Sequence, residues 1–189
     1  MTQEQAERVM EAAKDAGLYS LVYFAIMTGV RQGEQLALRW SDVDLDNGVA
    51  LISRSLAGTT KSGRARAIAL SPSVVRGLRQ EARWGGADGS SDGPVFPDPN
   101  GSPWMPQTLL RRFHAALARA GLPRIRWHDL RHMHASLMIA TGADVQTVAT
   151  QMGHSSPAIT LNVYSHVFRG HQDKAVRALD AVFQKGGVS

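Results

Sequence analysis

Cysteine is absent from this chain of 189 residues, and lysine is scarce. Without cysteine there is no disulfide framework, no thiolate zinc site and no cysteine nucleophile. Lysine supplies only 4 of the 21 basic residues, and arginine supplies the other 17. Arginine carries planar pairs of N–H donors that match the oxygen pairs of a phosphate. With a net charge of +5, this bias favours nucleic acid as a partner, although the codon usage of a high-GC genome produces the same bias.

Long hydrophobic runs are also lacking. The longest unbroken apolar run, Leu21 to Met27, is far too short to cross a bilayer. The N-terminus has no positively charged segment followed by an apolar one, which a secretory signal requires. We therefore expect a cytoplasmic protein without a membrane partner.

The remaining composition is typical of a globular protein, with 43% hydrophobic and 20% charged residues. The length suffices for one domain with a hydrophobic core, or for two small ones. Alternation over Val49–Ser55 and Arg66–Leu70, with glycines between, predicts an antiparallel hairpin. Residues 84–103, rich in Gly, Ser, Asp and Pro, predict a long loop. Apolar periodicity and start and stop signals predict helices over about 2–16, 18–27, 31–40, 72–83, 106–121, 128–141, 145–152, 157–164 and 172–183. The fold class is therefore α+β, mainly α-helical with a small antiparallel β-sheet.

Chemically active side chains are concentrated between His128 and Tyr164, a mostly helical stretch. It contains His128-Asp129-Leu130-Arg131, then His154, then Tyr164. A guanidinium binds two phosphate oxygens, an imidazole transfers protons near neutral pH, and a phenol can bond covalently to a substrate. This set suits attack on a phosphate better than attack on a carbonyl.

The order of six residues resembles the tyrosine recombinase (phage integrase) family. That family uses Arg, Lys, His-x-x-Arg, His or Trp, and Tyr, and all six positions are filled here in that order. They are Arg31, Lys61, His128, Arg131, His154 and Tyr164. The segments TGVRQGEQLALRW, HDLRH and MGHSSPAITLNVYSHV are also similar to the family. The resemblance covers nearly the whole chain and implies the fold of the family's catalytic domain over residues 1–189.

The resemblance implies site-specific DNA recombination (integration, excision or inversion) through a covalent 3′-phosphotyrosine. Tyr164 is the implied nucleophile, His128 helps to deprotonate it, and Lys61 protonates the leaving 5′ oxygen. Cations fixed beside the phosphate stabilise the charge that develops there, a role that fits Arg31, Arg131 and His154. Glu34 lies three residues after Arg31, where its carboxylate can hold the Arg31 guanidinium in place. We expect no metal or nucleotide cofactor, because the sequence has no P-loop and no carboxylate cluster.

Double-stranded DNA is the expected partner, with self-assembly to a tetramer on DNA, a monomeric isolated domain and accessory DNA-bending proteins. Candidate DNA contacts are Arg64, Arg66, Arg111, Arg112, Arg124 and Arg126. Most relatives carry a further N-terminal domain that grips the other side of the DNA, whereas the compact fimbrial recombinases lack it. The chain corresponds either to an excised catalytic domain or to such a compact relative. The C-terminal segment 171–184 either packs on its own core or docks onto a neighbouring protomer.

Three other functions fit parts of the pattern. A type IB topoisomerase-like enzyme uses the same chemistry without pairing two sites. A DNA-binding accessory module would need the arginines but not the intact reactive residues. A zinc hydrolase would use His128, His132 and His134, although His134 falls on another helical face and no glutamate lies between the first two.

Overall fold

The structure is a computed structural model that describes residues 2–56, 58–59, 65–82 and 92–165. Three predictions fall on residues outside these ranges. They concern the roles of Lys61 and Arg64, the first part of the loop over 84–103, and the C-terminal segment 171–184.

Two N-terminal helices form as predicted. Helix α1 (Gln3–Lys14) begins at a capping box in which the Thr2 hydroxyl accepts from the Gln5 N–H and the Gln5 side chain accepts from the Thr2 N–H. Helix α2 (Tyr19–Thr28) is apolar on most sides and ends at Gly29 in the left-handed region, with φ of 66°. The strongly apolar sequence of α2 is explained by its burial between other elements.

The helix predicted over 31–40 is wrong in its second half. Helix α3 covers only Gln32–Leu36, and a single 3-10 turn follows at Trp40–Asp42. Between them the backbone turns to the segment after residue 92. The Trp40 N–H donates to the Gly93 carbonyl, and the Val95 N–H donates to the Leu38 carbonyl. These backbone groups are therefore not available to continue the helix.

The predicted hairpin is confirmed, within a larger sheet. The strands are β1 (Val43–Asp44), β2 (Val49–Ile52), β3 (Arg54–Ser55), β4 (Gly58–Thr59) and β5 (Arg66–Ala69). Strands β2 and β5 pair antiparallel, with Ala50 opposite Ile68 and Ile52 opposite Arg66. Strand β1 adds to the other edge of β2, and β3 and β4 form a separate two-stranded ribbon. Sequence alternation did not reveal β1 or β4, because two residues are too few to show a period. The single strand predicted over Val49–Ser55 is divided into β2 and β3.

The second part of the predicted loop, residues 92–103, contributes to the core. Val95 and Phe96 are buried, and the Phe96 ring lies 5.0 Å from that of Phe24. The Trp104 indole N–H donates to the Pro97 carbonyl at 3.0 Å. Within residues 92–103, the polar and glycine residues that predict a loop are accompanied by apolar side chains that are buried.

The second half of the described chain is helical. It contains α4 (Pro72–Glu81), α5 (Pro106–Arg119), α6 (Trp127–Ala140), α7 (Val145–Met152) and α8 (157–165). Helix α6 packs on α2 on one side and on α7 on the other. A large core surrounds α2 and the first half of α6, and a smaller cluster of Ala135, Ile139, Val148, Met152 and Tyr164 lies beyond it. No helix within the described ranges is both long and apolar enough to span a membrane.

Candidate active site

A cleft of about 430 Å³ opens where α6, α7, α8 and the start of α3 meet. Five of the six predicted catalytic side chains line it, namely Arg31, His128, Arg131, His154 and Tyr164. The sixth, Lys61, lies outside the described residues. The five residues therefore converge as predicted, and their chemical roles stay predictions.

Helix α6 presents His128, Arg131 and His132 to the cleft, because residues three and four apart share one helical face. His134 lies on another face and is buried against Gly29. Its Nδ1 donates to the Ile26 carbonyl at 2.9 Å, and burial lowers its pKa to about 4. The three histidines thus do not converge on one point. Within the described ranges no three potential ligands are grouped as a metal ion would require.

Arg131 is a buried cation in this cleft, with only 3% of its surface exposed. Its Nη1 donates to the Gly29 carbonyl, which the left-handed turn after α2 directs toward it. Its Nη2 is buried without a hydrogen-bond partner among the described residues. Burial, and then the neighbouring charge of Arg31, lower the pKa of Arg131 to about 9. This guanidinium can therefore accept one more partner, and an anion would suit it best.

Arg31 is held by Glu34, as predicted, but a second arginine shares the same carboxylate. The Arg31 Nη1 donates to Glu34 Oε1 at 3.0 Å, and its Nη2 donates to the Gly153 carbonyl at 3.3 Å. Arg66 donates to both Glu34 oxygens, at 3.1 and 2.8 Å. Burial would raise the pKa of Glu34, but the hydrogen bonds from Arg66 and Arg31 outweigh it and lower the pKa below its usual range.

The geometry of Arg66 does not favour the predicted DNA contact, which stays a prediction. Its side chain is only 13% exposed, and its guanidinium is bound to Glu34. The sequence favoured DNA contact because Arg66 opens β5 beside the hairpin tip, where an exposed basic residue is expected. Its partner is 32 residues away in the chain, so no local sequence pattern could predict this ion pair.

His154 follows the turn that ends α7. Gly153 caps that helix in the left-handed region, with φ of 67°. The His154 Nδ1 lies 2.7 Å from the Thr160 hydroxyl, which is fully buried on α8, so Nε2 is left for a ligand in the cleft. Burial, followed by the charges of Arg131 and Arg31, lowers the pKa of His154 to about 4. The ring is therefore neutral at pH 7 and can donate one hydrogen bond.

Tyr164 is buried, with 3% of its surface exposed, and its hydroxyl lies 2.6 Å from Nδ1 of His132. Burial raises the pKa of Tyr164 to about 12, while Arg131 lowers it slightly. The hydroxyl is therefore hydrogen-bonded to His132, and deprotonation of this phenol by His128 stays a prediction. The His128 ring stands edge-on to that of His132, with 4.9 Å between centroids.

The helical spacing of α6 explains why His132 contacts Tyr164. His132, Ala135 and Ile139 follow one another on the side of α6 that meets the cluster containing Tyr164. His128 lies one turn earlier, outside that contact. The signal for His132 was present in the sequence, four residues after His128, but it was considered only as a zinc ligand.

The remaining candidate DNA contacts, Arg111, Arg112, Arg124 and Arg126, are all exposed. Arg126 is engaged locally, since its guanidinium pairs with Asp129 at 2.8 Å. Arg112 lies over the Trp104 ring, 5.4 Å from its centroid. Arg111 and Arg124 have no ion-pair partner in the ranges that the structure describes. Exposure leaves all four open to a partner, and DNA contact stays a prediction for each.

Known proteins match this chain over most of its length. The sequence profile of the phage integrase family matches residues 1–171. The tyrosine recombinase XerC-like protein of Caldanaerobacter subterraneus subsp. tengcongensis is 29% identical over 208 residues, which cover 95% of this chain and 53% of that protein. The integrase of Salmonella phage P22 is 29% identical over 186 residues, which cover 95% of this chain and 46% of the phage protein. This chain thus spans about half the length of these relatives.

Solved structures share the fold. The XerA recombinase superposes with a TM-score of 0.77 at 24% identity, covering 93% of this chain and 62% of that one. The catalytic domain of bacteriophage HP1 integrase gives a TM-score of 0.68 at 21% identity, covering 94% of this chain and 92% of that one. The Tn1549 transposon integrase in complex with circular intermediate DNA gives a TM-score of 0.74 at 21% identity, covering 93% of this chain and 66% of that one. With the family match over 1–171 and a cleft built from the family's reactive residues, the chain belongs to the phage integrase family.

Proposed function

We propose that this chain is the catalytic domain of a site-specific DNA recombinase that cleaves and rejoins strands through a covalent link between Tyr164 and a 3′ phosphate. Arg131 carries the proposal. Its buried guanidinium shares a cleft with Tyr164 and has one N–H group without a partner among the described residues. A buried cation beside a second cation is costly, and a bound phosphate would compensate both charges.

The proposed reaction is an attack by the Tyr164 phenolic oxygen on a DNA phosphorus. The new bond joins the phenolic oxygen to phosphorus, and the bond from phosphorus to the 5′ oxygen breaks. Negative charge grows on the non-bridging oxygens, where Arg31, Arg131 and the remaining N–H of His154 can donate to it. These donors are held in advance by Glu34, Gly29 and Thr160, so little reorganisation is needed.

Two features of this chemistry make strand exchange possible. The phosphotyrosine ester conserves the energy of the cleaved bond, so a 5′ hydroxyl from another strand can reverse the step. The leaving 5′ oxygen needs a proton, and the likeness to the family assigns that donor to Lys61. Because the ester conserves the bond energy, strand exchange in this proposal uses no metal or nucleotide cofactor.

Double-stranded DNA is the proposed partner. The Tn1549 integrase, which shares the fold, was solved in complex with DNA, and the excess of basic residues here supports the same kind of ligand. We further propose a cytoplasmic location, a monomeric isolated domain, and a tetramer when two sites are paired on DNA. Accessory proteins that bend DNA would assist the pairing.

A nicked suicide substrate tests the proposal, because the short cleaved fragment diffuses away and traps the covalent product. We expect a protein–DNA adduct that survives denaturation and EDTA, and we expect Tyr164→Phe to abolish it. Tyr19→Phe is the matched control, because Tyr19 is exposed and stacks on Tyr23 away from the cleft. An adduct in Tyr164→Phe would refute the assigned nucleophile. Relaxation of supercoiled plasmid without recombinant products would instead identify a topoisomerase-like enzyme.

A further inference from the structure

His132 contacts the proposed nucleophile directly. Its Nδ1 lies 2.6 Å from the Tyr164 hydroxyl, and no other hydrogen bond of that hydroxyl occurs within the described ranges. From this geometry we infer that His132 is the general base that accepts the Tyr164 proton. The inference rests on the proposed function and adds a further catalytic residue to it.

The protonation states of the two groups fit a transfer in this direction. Burial raises the pKa of Tyr164 to about 12, so the phenol carries its proton at pH 7. Burial lowers the pKa of His132 below its usual range, so the imidazole is neutral and offers a lone pair. The phenol therefore donates and Nδ1 accepts, which places the single imidazole proton on Nε2.

The step balances in atoms and charge. As the phenolic oxygen bonds to phosphorus, its proton moves to Nδ1 of His132, and the leaving 5′ oxygen takes a proton from a separate donor. In the reverse step the attacking 5′ hydroxyl expels the phenol, and His132 returns the proton. A general base in such a position typically contributes about 10²- to 10⁴-fold to the rate.

Burial is the main cause of the lowered pKa of His132, and the charges around the ring act in both directions. Asp129, on the same helix, raises its pKa, whereas Arg126 and Arg131 lower it. His128 faces it edge-on along α6. Across the cleft lie Arg31 from α3, His154 from the turn after α7, and Tyr164 itself on α8. A bound phosphate would offset the arginine charges, so the pKa of His132 should rise when DNA occupies the cleft.

Adduct formation on the suicide substrate, measured against pH, tests the assignment. In His132→Asn the amide oxygen replaces Nδ1 as an acceptor, so the phenol stays positioned but cannot pass on its proton. We expect a loss of about 100-fold or more at pH 7, with a rate that climbs steadily as pH rises, whereas the wild-type rate reaches a plateau. His114→Gln is the matched control, because His114 contacts the Ile125 carbonyl away from the cleft.

A substrate with sulfur in place of the bridging 5′ oxygen separates the two proton transfers, because a thiolate leaves without protonation. We expect this substrate to restore adduct formation in Lys61→Ala but not in His132→Asn. Rescue of His132→Asn, or a wild-type rate and pH profile in that variant, would overturn the assignment of His132 and leave the proposed function intact. Absence of any adduct from the wild-type chain would instead overturn the proposed function together with this inference.

A measurement on the wild-type chain does not depend on any variant folding. In ¹⁵N NMR of histidine-labelled protein, His132 should show the tautomer with its proton on Nε2 and with Nδ1 as a hydrogen-bonded acceptor. A proton on Nδ1 would make the imidazole the donor to Tyr164, and His132 could then not act as its base.

Discussion

At the scale of single residues, Glu34 determines whether the site keeps its shape. Its carboxylate is 1% exposed and accepts hydrogen bonds from two guanidinium groups, Arg31 and Arg66. Arg31 faces the cleft, whereas Arg66 lies behind it and contacts Gly153. One buried negative charge therefore links Arg31 in the cleft to Arg66 on β5, which packs on the turn after α7.

We expect Glu34→Gln to destabilise the fold by about 3 kcal/mol, because removing one partner of a buried pair leaves the other charges uncompensated. The new amide would also present N–H groups to two guanidinium groups that can only donate. Denaturant unfolding at pH 7 measures the loss, and the rate of adduct formation should fall as well.

Asp46→Asn is the control for Glu34→Gln. Like Glu34→Gln, it replaces a carboxylate that pairs with an arginine, since Asp46 pairs with Arg79 at 2.8 Å. The Asp46 side chain, however, is 92% exposed. Surface pairs contribute little, so its unfolding curve should match wild type. Equal stability of the two variants would contradict the structural role of Glu34.

At the scale of elements, the turn between α7 and α8 sets the position of His154. Gly153 has φ of 67°, and a Cβ built on it would lie 2.5 Å from Nε of Arg66. Arg66 cannot move aside easily, because both of its terminal nitrogens are bound to Glu34. The turn is therefore packed directly on the ion pairs that hold Arg31.

We expect Gly153→Ala to cost about 2 kcal/mol or more, since it adds a steric conflict to the strain of a left-handed alanine. Gly17→Ala is a close control, because Gly17 has the same φ of 67° but open space around its Cβ position. It should cost only about 1 kcal/mol and leave adduct formation unchanged. Thermal unfolding and the adduct assay compare the two variants, and equal losses in both would show that the Arg66 contact has no effect.

In the molecule as a whole, helix α6 contributes to two apolar clusters, and its cleft residues lie between them. Its first half packs in the large core around α2, and Ala135 and Ile139 belong to the smaller cluster with Tyr164. The cleft thus lies at the boundary of two packed regions. Movement of the smaller cluster relative to the larger one would shift Tyr164 and Met152 against Arg31 and Arg131.

DNA binding by the whole molecule should weaken steeply with salt, because phosphate contacts release counterions. Arg124 is exposed on the segment that leads into α6, the helix that carries His128 and Arg131 of the cleft. We expect Arg124→Gln, in a Tyr164→Phe background, to lower affinity and to reduce the slope of log K against log salt by about 1. Fluorescence anisotropy over a salt series measures the slope.

Arg79→Gln provides the control for net charge. It removes one positive charge from the chain as well, but Arg79 is occupied by Asp46 and the Leu45 carbonyl. Its slope should equal that of the parent protein. If both variants change the slope equally, overall charge and not a contact of Arg124 determines the salt dependence.

The family, the helices with clear start signals and the identities of the reactive residues could all be predicted from the amino-acid sequence. The capping box at Thr2 and the apolar run of α2 act through neighbours in the chain, so local physics fixed them. The paired strands of the hairpin were visible for the same reason, since alternation over four residues is a local signal. The order of reactive residues was informative because chemistry restricts their types.

The groups that these residues contact, in contrast, depend on how the folded elements pack together. The Arg66–Glu34 pair spans 32 positions and the His132–Tyr164 contact another 32, so both depend on how separate elements pack. The same holds for α3, which ends early because its next backbone groups bind residues 93 and 95. Hydrogen bonds and burial between distant segments leave no periodic pattern in the sequence. The binding of Arg66 to Glu34 and of Tyr164 to His132 could therefore not be predicted from it.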